Sequence, residues 1–410
     1  MVLATAGGSP DWLLGPMRVI GAGFSDGPLG GPLFYAGLWL ALALYCAVLA
    51  TASRLSRRAV AASIAAAVAL FALAPPLLSQ DAFSYIAYAR LDVVHGLDPY
   101  THSPADIPQD AVYPFAGSKT FTSVYGPLFT VATFPLAEVS LPAAFWALKA
   151  IAALATLGVV ALTWWCAQRL GRDPRAPAVA VGLNPLVLVH VVGGAHNDAL
   201  TVLLWMAGVA ALVGARPARD AAAGAWTAAA TAVKASAGLV GLFMLTGTRR
   251  RWALVAGAVA AAAVVLVSVI AFGGDALESL GVLSDNQDRT SRWSIPQRTA
   301  DALAWVTGGS AASIVEYTRA LFGVLFVAVL ALLLRAAWRR RDDDVAGWLA
   351  PAGWATLALL VASAWLVPWY AIWLMPLAAL GADRRLLVAG IALSAYMMVI
   401  AMPLEPFSPY

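Results

Sequence analysis

The composition of this 410-residue chain excludes an ordinary water-soluble enzyme, because 61% of its residues are hydrophobic and only 12% are charged. In a soluble domain roughly a quarter of the residues are charged, and the high apolar content also excludes a disordered chain. Runs of about 20 apolar residues, the length that crosses a bilayer as a helix, recur along the sequence. We therefore expect an all-α integral membrane protein that crosses the membrane many times.

The basic residues indicate which side of the membrane each connection occupies. Only three of the 26 Lys and Arg residues are lysines, and most arginines fall in six short clusters between the apolar runs. Because short basic loops stay in the cytoplasm, these clusters mark the inner face and explain the net charge of +4 without nucleic acid as a partner. The clusters lie at 54–58, 168–175, 215–219, 249–251, 335–341 and 384–385.

Six inner turns predict about 12 transmembrane spans with both chain ends outside. The expected organisation is an outer N-terminal segment (1–33), one transmembrane domain (34–403) and an outer C-terminal tail (404–410), and no cleavable signal peptide is visible. The spans beside Lys234 are too short to cross comfortably, so we expect a broken helix pair with Lys234 at the break. The predicted spans are 35–53, 59–77, 143–167, 177–193, 199–214, 221–234, 236–248, 252–273, 313–337, 346–366, 370–382 and 386–403.

Two outer loops, 79–142 and 274–312, are much longer than the other connections, and function concentrates in such loops. The first begins SQDAFSYIAYARLDVVHGLDPY, in which apolar residues recur at helical spacing between Asp81 and Gly96. This pattern predicts an amphipathic helix that lies in the membrane interface. A second short helix is predicted in VYGPLFTVATFPLAEV (124–139), where two prolines interrupt the apolar run.

Three groups of polar residues lie where function is expected. Asp81 directly follows a span, where it could be a catalytic carboxylate or a simple helix N-cap. His196, Asn197 and Asp198 follow a glycine pair that permits a tight outer turn, where they could contact a substrate or simply be solvated. Lys234 lies in an apolar hairpin and needs a neighbouring anion, for which a phosphate is a natural candidate.

An aromatic cluster, WLVPWYAIW (365–373), lies at an outer helix end. It is typical of an interfacial aromatic belt, and it would equally suit a platform on which a sugar or a lipid stacks. A secondary transporter is the alternative class of protein, because about 12 spans and intramembrane charge would suit one. Transporters usually contain internal repeats, and the sequence has no second copy of QDAFSY, GGAHNDAL or VKAS.

Five motifs follow one another in an order that is more specific than any one of them. They are SQDAFSYIAYARLDVVHGLDPY, VYGPLFT, NPLVLVHVVGGAHNDAL, VKAS and WLVPWYAIWLMPL. In this order the chain resembles the glycosyltransferases of the GT-C fold that use polyprenyl-phosphate sugars. Within that class it is most similar to the actinobacterial α-(1→6)-mannopyranosyltransferases of lipomannan synthesis, over about residues 32–400.

The resemblance implies an inverting mannosyltransferase of the plasma membrane, multi-pass and with an extracytoplasmic active site. The donor would be polyprenyl-phospho-mannose and the acceptor a glycolipid or mannan chain, and the protein would act as a monomer in the lipid bilayer. Asp81 would be the general base. An enzyme that uses a glucosyl or arabinofuranosyl lipid phosphate is an alternative, because the choice of sugar depends on a few hydroxyl contacts.

The resemblance also implies the other site residues. Cations would stabilise the leaving phosphate, and a divalent cation (Mg²⁺ or Mn²⁺) could be held by Asp81, Asp198 or His196, although no ligand spacing is diagnostic. The phosphate-binding candidates are Lys234, Arg289, Arg292 and Arg298, and the substrate-binding candidates are Tyr85, Tyr125, His196, Asn197, Asp198, Trp369 and Tyr370.

Overall fold

The fold is known from a computed structural model, which describes seven stretches of the chain. Within them the chain forms helices joined by turns, and no residue of these stretches lies in a β-strand. The predicted all-α class is therefore confirmed for the part of the chain that is described. The described residues are 11–15, 30–117, 119–214, 217–248, 251–272, 290–341 and 346–400.

The helices are numbered here in chain order. The α-helices are α1 (Asp11–Leu14), α2 (Gly30–Thr51), α3 (Arg57–Ala72), α4 (Asp81–His95), α5 (Pro127–Thr133), α6 (Leu141–Arg169), α7 (Arg175–Gly182), α8 (Asp198–Val213), α9 (Pro217–Val233), α10 (Gly238–Thr246), α11 (Arg251–Phe272), α12 (Ile295–Thr307), α13 (Ala311–Arg340), α14 (Leu349–Ala362), α15 (Ala371–Leu380) and α16 (Arg384–Ile400). Short 3₁₀ segments cover Ala52–Arg54, Pro104–Asp106, Phe134–Ala137, Ala235–Ala237 and Pro368–Tyr370, and a π-helix covers Val187–Val192.

Helices overlap every predicted span, but their lengths differ from the prediction. Among the described residues, three helical segments are long and apolar enough to cross a membrane by themselves: Leu33–Arg54, Leu141–Arg169 and Ala311–Arg340. The others are shorter or broken, so a membrane protein is supported and the number of 12 crossings stays a prediction. One break follows α7, where the Asn184 Oδ1 atom accepts the N–H of Leu186 at 3.0 Å and so caps the chain inside the bundle.

The outer segments are described only in part. Most of the predicted N-terminal segment, residues 273–289 of the second outer loop and the whole C-terminal tail lie outside the described residues. The described end of the second outer loop contains a helix, α12, which the sequence analysis did not predict.

The described residues form two apolar cores. The larger core joins α2, α3, α7, α8, α10, α14 and α15 with the C-terminal part of α6. The smaller core lies between α4, α5 and the start of α6, where the rings of Phe83 and Phe145 stack with their centroids 5.2 Å apart. Because α6 passes through both cores, it fixes the first outer loop to the membrane bundle.

The predicted helix after Asp81 is present, and it ends where expected. Gly96 follows it with φ 66°, the left-handed conformation that closes a helix and that favours glycine. The prediction of one face turned to the membrane interface is wrong for the first half of α4, because residues 82–89 are all buried. The chain that follows folds back over this half, and the Tyr88 hydroxyl donates to the carbonyl of Phe121 at 3.0 Å.

An ion-pair cluster fastens the returning loop to α4. The Arg90 Nε atom lies 2.8 Å from Asp110 Oδ1, and the His95 Nε2 atom lies 2.8 Å from Asp110 Oδ2. Burial raises the pKa of the Asp110 carboxyl, but its hydrogen bonds with Arg90, His95 and the Val112 N–H outweigh that effect and hold the pKa below its ordinary value. The cluster is therefore present when Asp110 is ionised.

Lys149 joins three elements inside the bundle. Its side chain is 1% exposed, and its ammonium group donates to the carbonyls of Phe71 at 2.7 Å and Gly193 at 2.9 Å. The helix α6 is thereby tied to the end of α3 and to the turn that precedes α8. A buried lysine bound only to carbonyls is costly, so this contact fixes the turn at a considerable energetic cost.

Gly126 lies at the closest approach between the first outer loop and the Lys234 break. Its N–H donates to the carbonyl of Val233 at 3.1 Å, and a methyl group on its Cα would overlap the backbone carbonyl of Ala232. Only glycine permits this approach, which places the preceding residue, Tyr125, in the neighbourhood of Lys234.

We expect Gly126→Ala to separate the loop from the α9 end, because the added methyl group meets backbone that cannot rotate away. Overpacking of this kind costs about 1–3 kcal/mol, so thermal unfolding in detergent should show a lower melting temperature. The control is Gly323→Ala in α13, where an added methyl group meets no atom within 4 Å. Equal melting temperatures for the two variants would contradict the close approach.

We expect Asp110→Asn to destabilise the protein at pH 7 by about 1–3 kcal/mol, because the neutral amide replaces the buried carboxylate that Arg90 and His95 contact. The folded-state pKa of Asp110 lies below its unfolded value of about 4. Its stabilisation is therefore complete above pH 4 to 5 and is lost as the pH falls further. The difference in melting temperature from wild type should be smaller at about pH 3 than at pH 7. The control is the exposed Asp106→Asn, and an equal difference at both pH values would contradict the pairing.

Candidate active site

Asp81 is the first residue of α4, and its environment decides between the two interpretations of the sequence. The N-cap position is occupied by Gln80, so Asp81 is not the cap, and its carboxylate turns to other partners. The Tyr125 hydroxyl donates to Asp81 Oδ2 at 3.5 Å, and the Nδ1 atom of His196 lies 3.3 Å from the same oxygen. The Asp81 side chain remains 29% exposed. One oxygen is thus held by the protein while part of the carboxylate is accessible.

The charges around Asp81 keep it ionised. Burial raises the pKa of its carboxyl, but the neighbouring His196, the charge of Lys234 and the Tyr125 hydroxyl together outweigh burial and lower the pKa below its ordinary value. Conversely, burial and the Asp81 carboxylate raise the pKa of the Tyr125 hydroxyl well above its usual range, so that hydroxyl stays a donor. At neutral pH the group is therefore a carboxylate able to accept a proton.

The turn with His196, Asn197 and Asp198 lies directly against α4. The Asn197 N–H donates to the Tyr85 hydroxyl at 3.4 Å, while the buried side-chain amide of Asn197 has no hydrogen-bond partner among the described residues. The glycine pair permits the turn, although for a different reason than predicted. Gly193 and Gly194 are needed because a methyl group there would overlap neighbouring atoms, and the left-handed residue of the turn is Ala195, with φ 56°.

Lys234 lies at the predicted break between α9 and α10, in extended conformation with φ −154° and ψ 122°. Its anion within the protein is Asp198: the ammonium group donates to Asp198 Oδ1 at 2.8 Å. The Trp373 indole N–H donates to the same oxygen at 2.6 Å, and the Asp198 side chain is fully buried. The need for an anion is thus confirmed, and the protein itself supplies one.

Aromatic rings form one wall of this polar cluster. Tyr370 and Trp373 stack with centroids 3.9 Å apart, and the Lys234 ammonium lies 5.0 Å from the first ring and 5.2 Å from the second. Trp369 stacks on the His196 ring with centroids 3.9 Å apart. These rings face the charged residues, so Trp369, Tyr370 and Trp373 are part of the site and not of a lipid-facing belt.

A small crevice adjoins the wall at Trp373. Most of its lining is apolar and comes from α8, α10 and α14. The lining residues include Thr201, Trp205, Val240, Thr356 and Leu359. An apolar space therefore lies next to the ring on which Lys234 rests.

The arginines of the second outer loop are not brought into this cluster by any described contact. Arg298 pairs with Asp301 at 2.6 Å and lies 4.7 Å from the Trp293 ring, on which Arg292 also rests. The loop is fixed to the aromatic motif indirectly, because the Ser291 N–H donates to the carbonyl of Ala364 at 2.8 Å. Arg289 lies outside the described residues.

The predicted metal ligands do not form a metal site among the described residues. No group of three His, Cys, Asp or Glu residues is close enough together to hold an ion. Asp198 is already neutralised by Lys234, and Asp81 Oδ2 faces His196 and Tyr125. The donor set does not fit a resident divalent cation.

Two contributors were missed by the sequence analysis. Lys149 carries a visible signal, since it is a lone lysine inside an apolar run, and it holds the carbonyl of Gly193 at the start of the turn. Trp373 was assigned to an aromatic cluster, but its role as a donor to Asp198 depends on a contact between residues 175 positions apart. Sequence periodicity contains no signal for such a contact.

Comparisons with known proteins match nearly the whole chain. The family model of the α-(1→6)-mannopyranosyltransferase N-terminal domain matches residues 27–250, and the MptB C-terminal domain matches residues 297–406. The first match includes Asp81, the turn before α8 and Lys234. No solved structure matches the chain significantly.

Two relatives show the extent of the similarity. α-(1→6)-Mannopyranosyltransferase A of Mycobacterium tuberculosis is 32% identical over 81% of this chain and 67% of its own length. α-(1→6)-Mannopyranosyltransferase B of Corynebacterium glutamicum is 26% identical over 76% of this chain and 57% of its own length, so the chain spans little more than half of that relative. The matches confirm the resemblance seen in the sequence: the chain belongs to the α-(1→6)-mannopyranosyltransferase family of mannose-transferring glycosyltransferases.

Proposed function

We propose that the chain is an inverting mannosyltransferase that moves mannose from a polyprenyl-phosphate donor to a glycolipid or mannan acceptor at the outer face of the plasma membrane. The single observation that carries the proposal is the setting of Asp81. It is an ionised, partly exposed carboxylate at the start of α4, held through one oxygen and flanked by the Asp198–Lys234 pair and an aromatic wall. Family membership supports mannose as the sugar and decides against the transporter alternative.

Asp81 is the general base of the proposed reaction. Its Oδ2 atom is held by Tyr125 and faces His196, and no described contact engages Oδ1, which leaves that oxygen for the acceptor hydroxyl. Oδ1 takes the proton as the acceptor oxygen bonds to C1 of mannose, and the C1–O bond to the phosphate breaks on the opposite side. The configuration at C1 inverts, so a β-linked donor gives an α-linked product. Base catalysis of this kind contributes roughly 10²–10⁴-fold.

Lys234 and the aromatic wall suit the leaving group. The leaving phosphodiester becomes a phosphomonoester and gains negative charge, which a fixed cation stabilises. An ammonium group has three N–H donors, and Asp198 takes one of those of Lys234. The others remain for a phosphate. Arg292 and Arg298 remain candidates for a contact with the donor.

The side of the membrane follows from charge. Among the described helices, α3 begins at Arg57, α6 ends at Arg169 and α7 begins at Arg175. Short basic loops of this kind stay in the cytoplasm. The long α6, which begins beside α4 and ends at Arg169, connects the two sides. This arrangement supports an extracytoplasmic site, where a lipid-linked sugar is a more suitable donor than a sugar nucleotide.

We expect Asp81→Asn to lower mannosyl transfer by at least about 100-fold, because the amide cannot accept the acceptor proton. The assay uses purified polyprenyl-phospho-mannose and short α-mannoside acceptors with detergent-purified protein. Asp92→Asn is the matched control, because Asp92 lies on the same helix three turns away and its substitution removes the same charge. Near-wild-type turnover of the Asp81 variant, with its fold intact by thermal unfolding, would refute the proposed base.

We expect Lys234→Met to fold poorly, because it leaves the fully buried Asp198 carboxylate without its cation. The double variant Lys234→Met/Asp198→Asn removes both charges and should regain most of the lost melting temperature. If Lys234 binds the donor phosphate, the double variant still transfers mannose at least about 10-fold more slowly at subsaturating donor. Recovery of transfer together with stability would show that Lys234 only balances Asp198.

A further inference from the structure

We infer that His196 is a positioning residue that holds Asp81 in place, and not the substrate-binding residue that the sequence predicts. The inference rests on the proposed function, because it assigns a partner to the proposed base. His196 and Asp81 come from two separate parts of the chain and meet at 3.3 Å, between His196 Nδ1 and Asp81 Oδ2.

Burial separates the roles of the two residues. The His196 side chain is 0% exposed, whereas the Asp81 side chain is 29% exposed. An acceptor sugar can therefore reach the Asp81 carboxylate from the open side, while the imidazole lies behind it. A side chain without access to the substrate acts on the reaction only through the group that it touches.

The imidazole ring is held at one face and approached closely at one edge. One face stacks on Trp369, at a centroid distance of 3.9 Å and an angle of 20° between the planes. On another side lies Gly194, where a methyl group would come within 2.9 Å of the His196 Cδ2 atom. The backbone N–H of His196 also donates to the carbonyl of Val191 at 3.0 Å. The position of Nδ1 is thus set by the π-helix, the turn and the aromatic wall together.

Only one edge of the ring serves Asp81. Nδ1 faces Oδ2, and Nε2 has no hydrogen-bond partner in the described part of the chain. The Nδ1 contact is close but not a well-directed hydrogen bond, and catalytic hydrogen bonds are often long before substrate binds and tighten in the complex. With Tyr125 on the same oxygen, the carboxylate is kept from rotating, and Oδ1 stays directed to the acceptor.

The experiment uses the difference between the two ring nitrogens. An Asn side chain ends near the position of Nδ1, and a Gln side chain reaches the position of Nε2. We expect His196→Asn to retain about a tenth of the wild-type kcat, and His196→Gln and His196→Phe to fall about 100-fold. The KM values for donor and acceptor should stay within about twofold in all three variants, because only positioning is lost.

The control is His190→Asn. His190 is equally buried, lies near the same Trp369 ring at 6.2 Å between centroids, and makes no described contact with Asp81. This variant should keep the wild-type kcat. The folded protein is first isolated by size-exclusion chromatography, and kcat is then measured on that fraction. Equal kcat for the Asn and Gln variants of His196, wild-type kcat for His196→Phe, or a raised KM at unchanged kcat would overturn the inference.

A second measurement distinguishes a failure of this inference from a failure of the proposed function. It also applies if the single His196 variants fold poorly. In an Asp81→Asn background, adding His196→Phe should lower the residual transfer by less than about twofold, because residues that act as a unit are not additive. A full additional loss overturns the positioning role. If Asp81→Asn alone keeps its turnover, the proposed base is wrong; if it is inactive while His196→Phe is fully active, only the positioning role is wrong.

Discussion

The site depends on protein groups that compensate the negative charges of two carboxylates, Asp198 and Asp81, in a largely buried environment. Asp198 is fully buried and is neutralised by Lys234 at 2.8 Å. Asp81 lies nearby, where His196, the charge of Lys234 and the Tyr125 hydroxyl keep its pKa low and the carboxyl ionised. One lysine thus serves two acids, and the carboxylate that it does not bind directly is the exposed one. This asymmetry gives the two acids different roles: Asp198 holds the cation, and Asp81 remains free to accept a proton.

The elements that supply these residues are all interruptions of helices. Asp81 follows the end of α3 through a turn in which Leu78 has φ 55°, and His196 follows Ala195, with φ 56°. Positive φ values in such residues are strained, and strain of this kind collects at functional sites. Lys234 lies in the extended break between α9 and α10. Irregular backbone at such a depth is tolerated only where protein or a cavity surrounds it, and here Lys149 binds the free carbonyls of two of these interruptions.

The sequence predicts where the helices are interrupted better than it predicts which interruptions contact each other. Asp81, the turn from His196 to Asp198 and Lys234 could be identified from the sequence, because polar residues within or beside apolar runs are costly and so indicate a functional site. Helix α4 and the break at Lys234 also followed from local spacing. Which residue pairs with which could not follow, because the contacts Asp81–His196 and Lys234–Asp198 join segments more than 30 residues apart. Burial of both faces of α4 was missed for the same reason, since a returning loop covers the face that periodicity marks as polar.

Chemical rescue can test whether Asp81 accepts the proton of the acceptor hydroxyl. Single-turnover transfer of mannose from polyprenyl-phospho-mannose is measured for Asp81→Ala, with and without added formate, which can enter the space that the side chain vacates and accept the proton. The account predicts a transfer rate reduced by at least about 100-fold that rises with formate concentration. Transfer by Asp81→Ala at the wild-type rate without formate would contradict the account, because the acceptor hydroxyl would then be deprotonated by another group.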